Sequence, residues 1–160
     1  AYRAIIYNKG AVVLHMLRQL VGDDAFFKGL RRFYSESRFT KVGTDDLRQA
    51  MEKEGGQPLD RFFERWVYGS TLPTVKVTYR VEATPAGQEA VLRFEQGAEV
   101  FDLPMVVTLT FADRRKTTVI VPLTQTTLDH RVPIQGTLVK AEINRDAGGL
   151  AQISTGRWGG

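Results

Sequence analysis

Few residues of this 160-residue chain have types and spacing suited to chemistry. It has no cysteine, which excludes disulfides and thiolate metal sites. Its two histidines are far apart: His15 is followed by Met-Leu-Arg-Gln and His130 by Arg-Val-Pro-Ile, so neither opens a run of further ligands. His15 shares the polar side of a helical pattern with Asn8, Ala11, Arg18 and Gln19, where a solvated role suffices. His130 alternates with Leu128 and Val132 and is expected to face inward on a strand. The carboxylate pairs Asp23-Asp24 and Asp45-Asp46 stand at helix starts, where the helix dipole accounts for them. There remains the run Tyr7-Asn8-Lys9-Gly10. A phenol with a pKa near 10 stays protonated at neutral pH and can donate a hydrogen bond. It can equally be a boundary tyrosine with a packed ring and a wet hydroxyl. Gly10 costs a helix roughly 0.5–1 kcal/mol relative to alanine, so it is expected to admit another element's backbone at close range. Asn8 and Lys9 read as structural or surface residues, and Tyr2 as a packing aromatic.

Composition bounds the rest. With 42% hydrophobic and 25% charged residues the chain is ordinary globular material, enough for one domain or two small ones. Residues 1–72 hold 12 Lys and Arg against 9 Asp and Glu, and residues 73–160 hold 10 against 9. Neither half concentrates positive charge as a nucleic-acid-binding domain does, and the clusters Arg31-Arg32 and Arg114-Arg115-Lys116 are short. No apolar run reaches the 18 or so residues of a membrane-spanning helix. The chain opens directly in a helical pattern without a capping residue, which suggests a piece of a longer protein.

Two periods organise the chain. Up to about residue 72 the period is helical: Ile6, Val13, Leu17 and Leu20 form one stripe, with Val12 and Met16 beside it. Asp23 is the predicted cap of a second helix carrying Phe26, Phe27, Leu30, Phe33 and Tyr34 on one face. Thr44 is the predicted cap of a third, stopped by Gly55-Gly56, and a fourth is predicted to start near Pro58, burying Leu59, Phe62, Phe63, Trp66 and Val67 before Gly69. After Pro73 the period is two. Residues 75–81, 89–96, 104–111, 116–123, 128–134 and 139–144 read as strands rich in β-branched residues and bounded by turns, with a further short strand at 150–153. The expected fold class is therefore α+β: about four helices (1–72), then an antiparallel β-sandwich of six or seven strands (73–160).

The segments YNKGAVVLHMLRQLVGDDAFFKGLRRFY (7–34) and TDDLRQAMEKEGGQPLDRFFERWVYGSTLPTVKV (44–77), with weaker support from FDLPMVV and AEINRDAGGLAQI, resemble the aminopeptidase N family of zinc metallopeptidases. The pieces stand in order and at the family's spacing. They correspond to the end of its thermolysin-like catalytic domain and the β-sandwich that follows.

The resemblance implies a definite chemistry. In that family a zinc-bound water attacks the first peptide carbonyl of a substrate, and the tyrosine of Tyr-x-Lys-Gly donates its hydroxyl to the tetrahedral oxyanion. That tyrosine corresponds to Tyr7. The departure is equally definite: no His-Glu-x-x-His is present, and the family places that motif upstream of the tyrosine. The expectation is a fragment of a zinc aminopeptidase, inert by itself, that binds no zinc and takes the upstream catalytic domain as its packing partner on residues 1–72. Peptide substrates belong to the parent protein. The alternative is a non-catalytic relative serving as a protein-interaction scaffold; independent ligand binding by the sandwich has no row of exposed aromatics to support it.

Overall fold

A computed structural model describes residues 2–143 and 150–158, with side chains from Asn8 onward except that of Arg157. The chain divides into two compact units, residues 1–71 and 72–160. It is an α+β protein, with the helices in the first unit and seven strands in the second.

The first unit holds α1 (Tyr2–Val21), α2 (Asp23–Glu36), α3 (Thr44–Gly55) and α4 (Asp60–Phe63), the last running on as a π-helical turn over Glu64–Tyr68. Its core follows the helical stripes: Val13, Met16, Leu17 and Leu20 from α1, Phe26 from α2, Ala50 and Met51 from α3, then Leu59, Phe62, Phe63 and Trp66. α2 and α3 pack closely enough that a Cβ on Gly29 would fall 2.6 Å from the sulfur of Met51.

Several helix details differ from the sequence expectations. The N-cap of α2 is Gly22, with a positive φ (87°) that favours glycine, rather than Asp23. Asp23 opens the first turn and takes a bidentate contact from Arg18 at 2.8 and 2.9 Å. The N-cap of α3 is Gly43 rather than Thr44, and its N–H donates to the Asp46 carboxylate at 2.7 Å, so the cap is supplied from within the first turn. The last helix starts at Asp60, two residues after Pro58. Phe27 and Tyr34 are exposed, at 42% and 74%, because they lie about a third of a turn from the Phe26/Gly29/Phe33 stripe. Val67 is likewise at the surface. Phe39, in the α2–α3 connection, is fully exposed and has φ 63°.

The second unit is two sheets. β1 (Thr74–Thr84), β2 (Gly87–Gln96), β5 (Thr127–Ile134) and β7 (Gln152–Arg157) make one, in the order β5-β2-β1-β7. The other is β4-β3-β6, from β3 (Leu103–Phe111), β4 (Lys116–Leu123) and β6 (Leu138–Ile143). Alternation drives it: Val75 and Val77 of β1, Leu92 and Phe94 of β2, Leu103, Met105, Val107 and Leu109 of β3, and Val121 and Leu123 of β4 are all buried. Buried Gln96 secures the β2–β3 connection, donating to the Phe101 and Gln125 carbonyls and accepting the Phe101 N–H at 3.0 Å.

Contrary to the expectation of a wholly antiparallel sandwich, one pairing is parallel. β7 runs parallel to β1, in the register Val75↔Ile153 and Val77↔Thr155. It begins at Gln152, two residues beyond the predicted start. The predicted end of β6, Asn144, lies outside the described residues.

Candidate functional site

Tyr7 lies in the second turn of α1, and its side chain is outside those described. The backbone nevertheless fixes its place on the helix. Successive residues advance about 100° around an α-helix, so position 7 shares a stripe with Gly10, Ala11 and Leu14. Gly10 and Ala11 are exposed, and Leu14 is 41% exposed. The buried residues Val13, Met16, Leu17 and Leu20 occupy the other side. Position 7 therefore belongs to the open face of the helical unit.

Gly10 corrects one expectation. A Cβ built there meets no atom within 4 Å, so no described backbone approaches it closely. The glycine is an open notch one turn from Tyr7.

Lys9, read from the sequence as a structural or surface residue, has a specific partner that the sequence did not indicate. Its ammonium donates to the carbonyl of Gly69 at 3.3 Å, joining the start of α1 to the residue that ends the π turn. Sixty residues separate the pair, so nothing local in the sequence signals the contact. Gly69 has no room for a side chain, because a Cβ would collide with the carbonyl oxygen of Arg65.

The histidines do not meet. His15 is exposed on α1 and His130 is half-buried on β5, on the same strand face as Leu128 and Val132. Among the described residues no group of three or more His, Cys, Asp or Glu could hold a metal ion. A catalytic zinc, which needs about three protein ligands, does not fit the described side chains.

Electrostatics elsewhere are those of paired surface charges. In the first unit Arg48 bridges Asp45, Glu52 and Asp60 at 2.7, 3.0 and 2.8 Å, and its hydrogen bonds to Asp45 and Glu52 raise its pKa above the ordinary arginine value. The same contact holds Asp45 below the usual carboxylate range. On the outer face of the β5-β2-β1-β7 sheet, Arg93 grips Asp129 at 2.7 and 2.8 Å and Arg131 reaches Glu82 at 2.7 Å. The guanidinium carbons of Arg80 and Arg93 lie 3.7 and 3.9 Å from the centroid of the Trp158 indole. Beside them is an open groove of about 540 Å³ lined by Lys76, Thr78, Arg93, Glu95, Ser154 and Trp158. Sequence reading passed over Trp158 because nothing local links it to Arg80 and Arg93. Both arginines are already paired with carboxylates, Arg80 with Glu82 and Arg93 with Asp129.

Comparison with known proteins places these features. Residues 1–66 match the peptidase family M1 domain. The tricorn protease-interacting factor F2 of Thermoplasma volcanium is 36% identical over 73 residues, which are 46% of this chain and 9% of that protein. Aminopeptidase N of Lactococcus lactis subsp. lactis is 33% identical over 72 residues, 45% of this chain and 8% of that protein. The chain thus spans less than a tenth of the length of these relatives. A solved structure of Legionella pneumophila aminopeptidase A in complex with aspartic acid superposes with a TM-score of 0.69 at 15% identity, covering 92% of this chain and 17% of that one. At that identity the likeness is one of fold, and it extends over both units.

Proposed function

We propose, from the premise that this chain belongs to the M1 aminopeptidases through residues 1–66, that it carries the oxyanion-stabilising side of a peptide-hydrolysing active site, with Tyr7 as the donor. The observation that carries the reading is the place of position 7 within that family-matched segment: on α1, on the open Gly10/Ala11/Leu14 face, away from the buried stripe.

The chemistry suits a phenol. Attack on a peptide carbonyl turns a neutral oxygen into an oxyanion. A preorganised hydroxyl donor gains more from that charge than from the ground-state carbonyl. A tyrosine does this without titrating at neutral pH, whereas phenylalanine fills the same space and donates nothing.

The described residues form no zinc site, so the part assigned to this chain is hydrogen-bond donation alone. The zinc and the activated water of the family's reaction belong, in this reading, to the rest of a longer protein, whose catalytic domain covers the open face of α1. The 160-residue chain by itself is then inactive.

The test is Tyr7→Phe in the longer protein, assayed on peptides with a free N-terminus. The expected loss is about 10²–10³ in kcat, the usual effect of deleting one oxyanion donor, with metal content unchanged. An unchanged kcat removes Tyr7 from the mechanism. Aminopeptidase activity of the isolated chain supplied with zinc would overturn the division of labour.

A further inference from the structure

We infer that Lys9 is a positioning residue: by bonding the Gly69 carbonyl, its ammonium ties the first turns of α1 to the end of the last helix and sets the direction in which position 7 faces. The inference rests on the reading of Tyr7 as oxyanion donor and adds the device that aims it.

The first observation is where α1 becomes attached to its unit. Among the described side chains, Asn8, Gly10 and Ala11 are exposed, and the first buried one is Val13. The bond from Lys9 to Gly69 at 3.3 Å is thus the earliest described attachment of α1, one turn before the apolar stripe takes hold. Helix starts that lack tertiary contacts fray, because local hydrogen bonds alone do not hold a terminal turn.

Angular geometry comes next. Positions 7 and 9 are separated by about 200° around the helix, so they lie on nearly opposite sides. Holding Lys9 against the unit turns position 7 outward. A free Lys9 lets the first turns rotate and unwind, and the direction of position 7 goes with them.

The acceptor is also built for the purpose. Gly69 follows a π turn, Glu64–Tyr68, a local widening that recurs at functional sites. Gly69 is the extended C-cap of that turn (φ −78°, ψ 158°), so its carbonyl stands outside the helical ladder and can accept a bond from another segment. The residue's backbone lies so close to the Arg65 carbonyl that any side chain at 69 would displace it. Glycine at 69 and lysine at 9 are therefore two halves of one contact.

Two experiments test this. In the 160-residue chain, amide hydrogen exchange is followed in wild type, Lys9→Met, Lys9→Arg and Gly69→Ala. Lys9→Met keeps the aliphatic stem and loses the donor; it is expected to speed exchange of residues 8–12 by about three- to tenfold while α2 and α3 are unchanged. Gly69→Ala should do the same by moving the acceptor, and Lys9→Arg should restore slow exchange. Wild-type exchange in Lys9→Met and Gly69→Ala overturns the tie.

In the longer enzyme, Lys9→Met is expected to lower kcat about tenfold with KM little changed, Lys9→Arg to recover it, and Lys9→Met added to Tyr7→Phe to cost nothing further. If Tyr7→Phe lowers kcat and Lys9→Met does not, the positioning role is overturned while the oxyanion reading stands. If Tyr7→Phe has no effect, the oxyanion reading falls and the positioning role with it, and the exchange data still decide whether the tie exists.

Discussion

The carboxylate of Glu52, in α3, accepts the backbone N–H of Leu59 at 2.7 Å, so one helix supplies the hydrogen-bond partner at the start of the next. Glu52 also takes Arg48 on both its oxygens at 3.0 Å, and Arg48 reaches Asp60 of α4 at 2.8 Å. The Gly55-Gly56 turn is thereby bridged on its outside. It is also held from within by Leu59 and Phe62, both buried.

Replacing Glu52 by alanine removes the acceptor and leaves the Leu59 N–H without it in a partly buried position. The expected cost is about 1–3 kcal/mol, the range for leaving a buried donor without its partner. Glu52→Gln keeps an acceptor oxygen and should cost less. Urea denaturation of the three proteins, monitored by helical circular dichroism, checks the order. A Glu52→Ala midpoint equal to wild type would show that water replaces the carboxylate at no cost.

Gly10→Ala distinguishes the chain alone from the longer protein proposed above. Here the glycine is helical and a Cβ meets nothing within 4 Å, so alanine gains helix propensity without a clash. Stability of the 160-residue chain should rise by about 0.5–1 kcal/mol, read as a higher thermal midpoint. In that longer protein, if its catalytic domain covers this face as proposed, the gain should vanish and turnover fall. A gain of equal size in both proteins would show that the face stays open.

The strand pattern was the most legible part of the fold, because a half-buried strand writes its two faces directly into alternating residue types. β4 begins and ends where alternation and turn residues place it, at Lys116 and Leu123. The parallel pairing of β7 with β1 was not legible, since strand direction depends on the course of the chain and leaves no mark on the period. The helix caps were misplaced by one residue for a different reason. Asp23 and Thr44 have capping side chains, but Gly22 and Gly43 take the cap positions and the neighbouring carboxylates work from inside the first turn. At the candidate site, Tyr7 is singled out by family-like segments alone, because a phenol in a helical pattern carries no signal of its role, and its part in catalysis stands as a proposal. The tie from Lys9 to Gly69 and the contacts of Trp158 with Arg80 and Arg93 join distant positions, which periodicity does not encode.

Acid should weaken the second unit through its outer sheet face. The hydrogen bond from Arg93 holds Asp129 below the usual carboxylate range, and those from Arg131 and then Arg80 do the same for Glu82. A carboxylate whose folded pKa lies below its unfolded value contributes stability that is fully present above the unfolded value of about 4 and lost as pH falls through the folded one. The thermal midpoint should therefore be flat from pH 7 to about 5 and decline below about 4. Asp129→Asn removes one of these titrations: it should lower the midpoint at pH 7 and make the decline below pH 4 shallower, so that the curves converge in acid. The contact is at the surface, so added salt should narrow the gap between the two proteins at pH 7. Parallel curves across the whole pH range would show that the contact between Arg93 and Asp129 gives the fold no proton-linked stability.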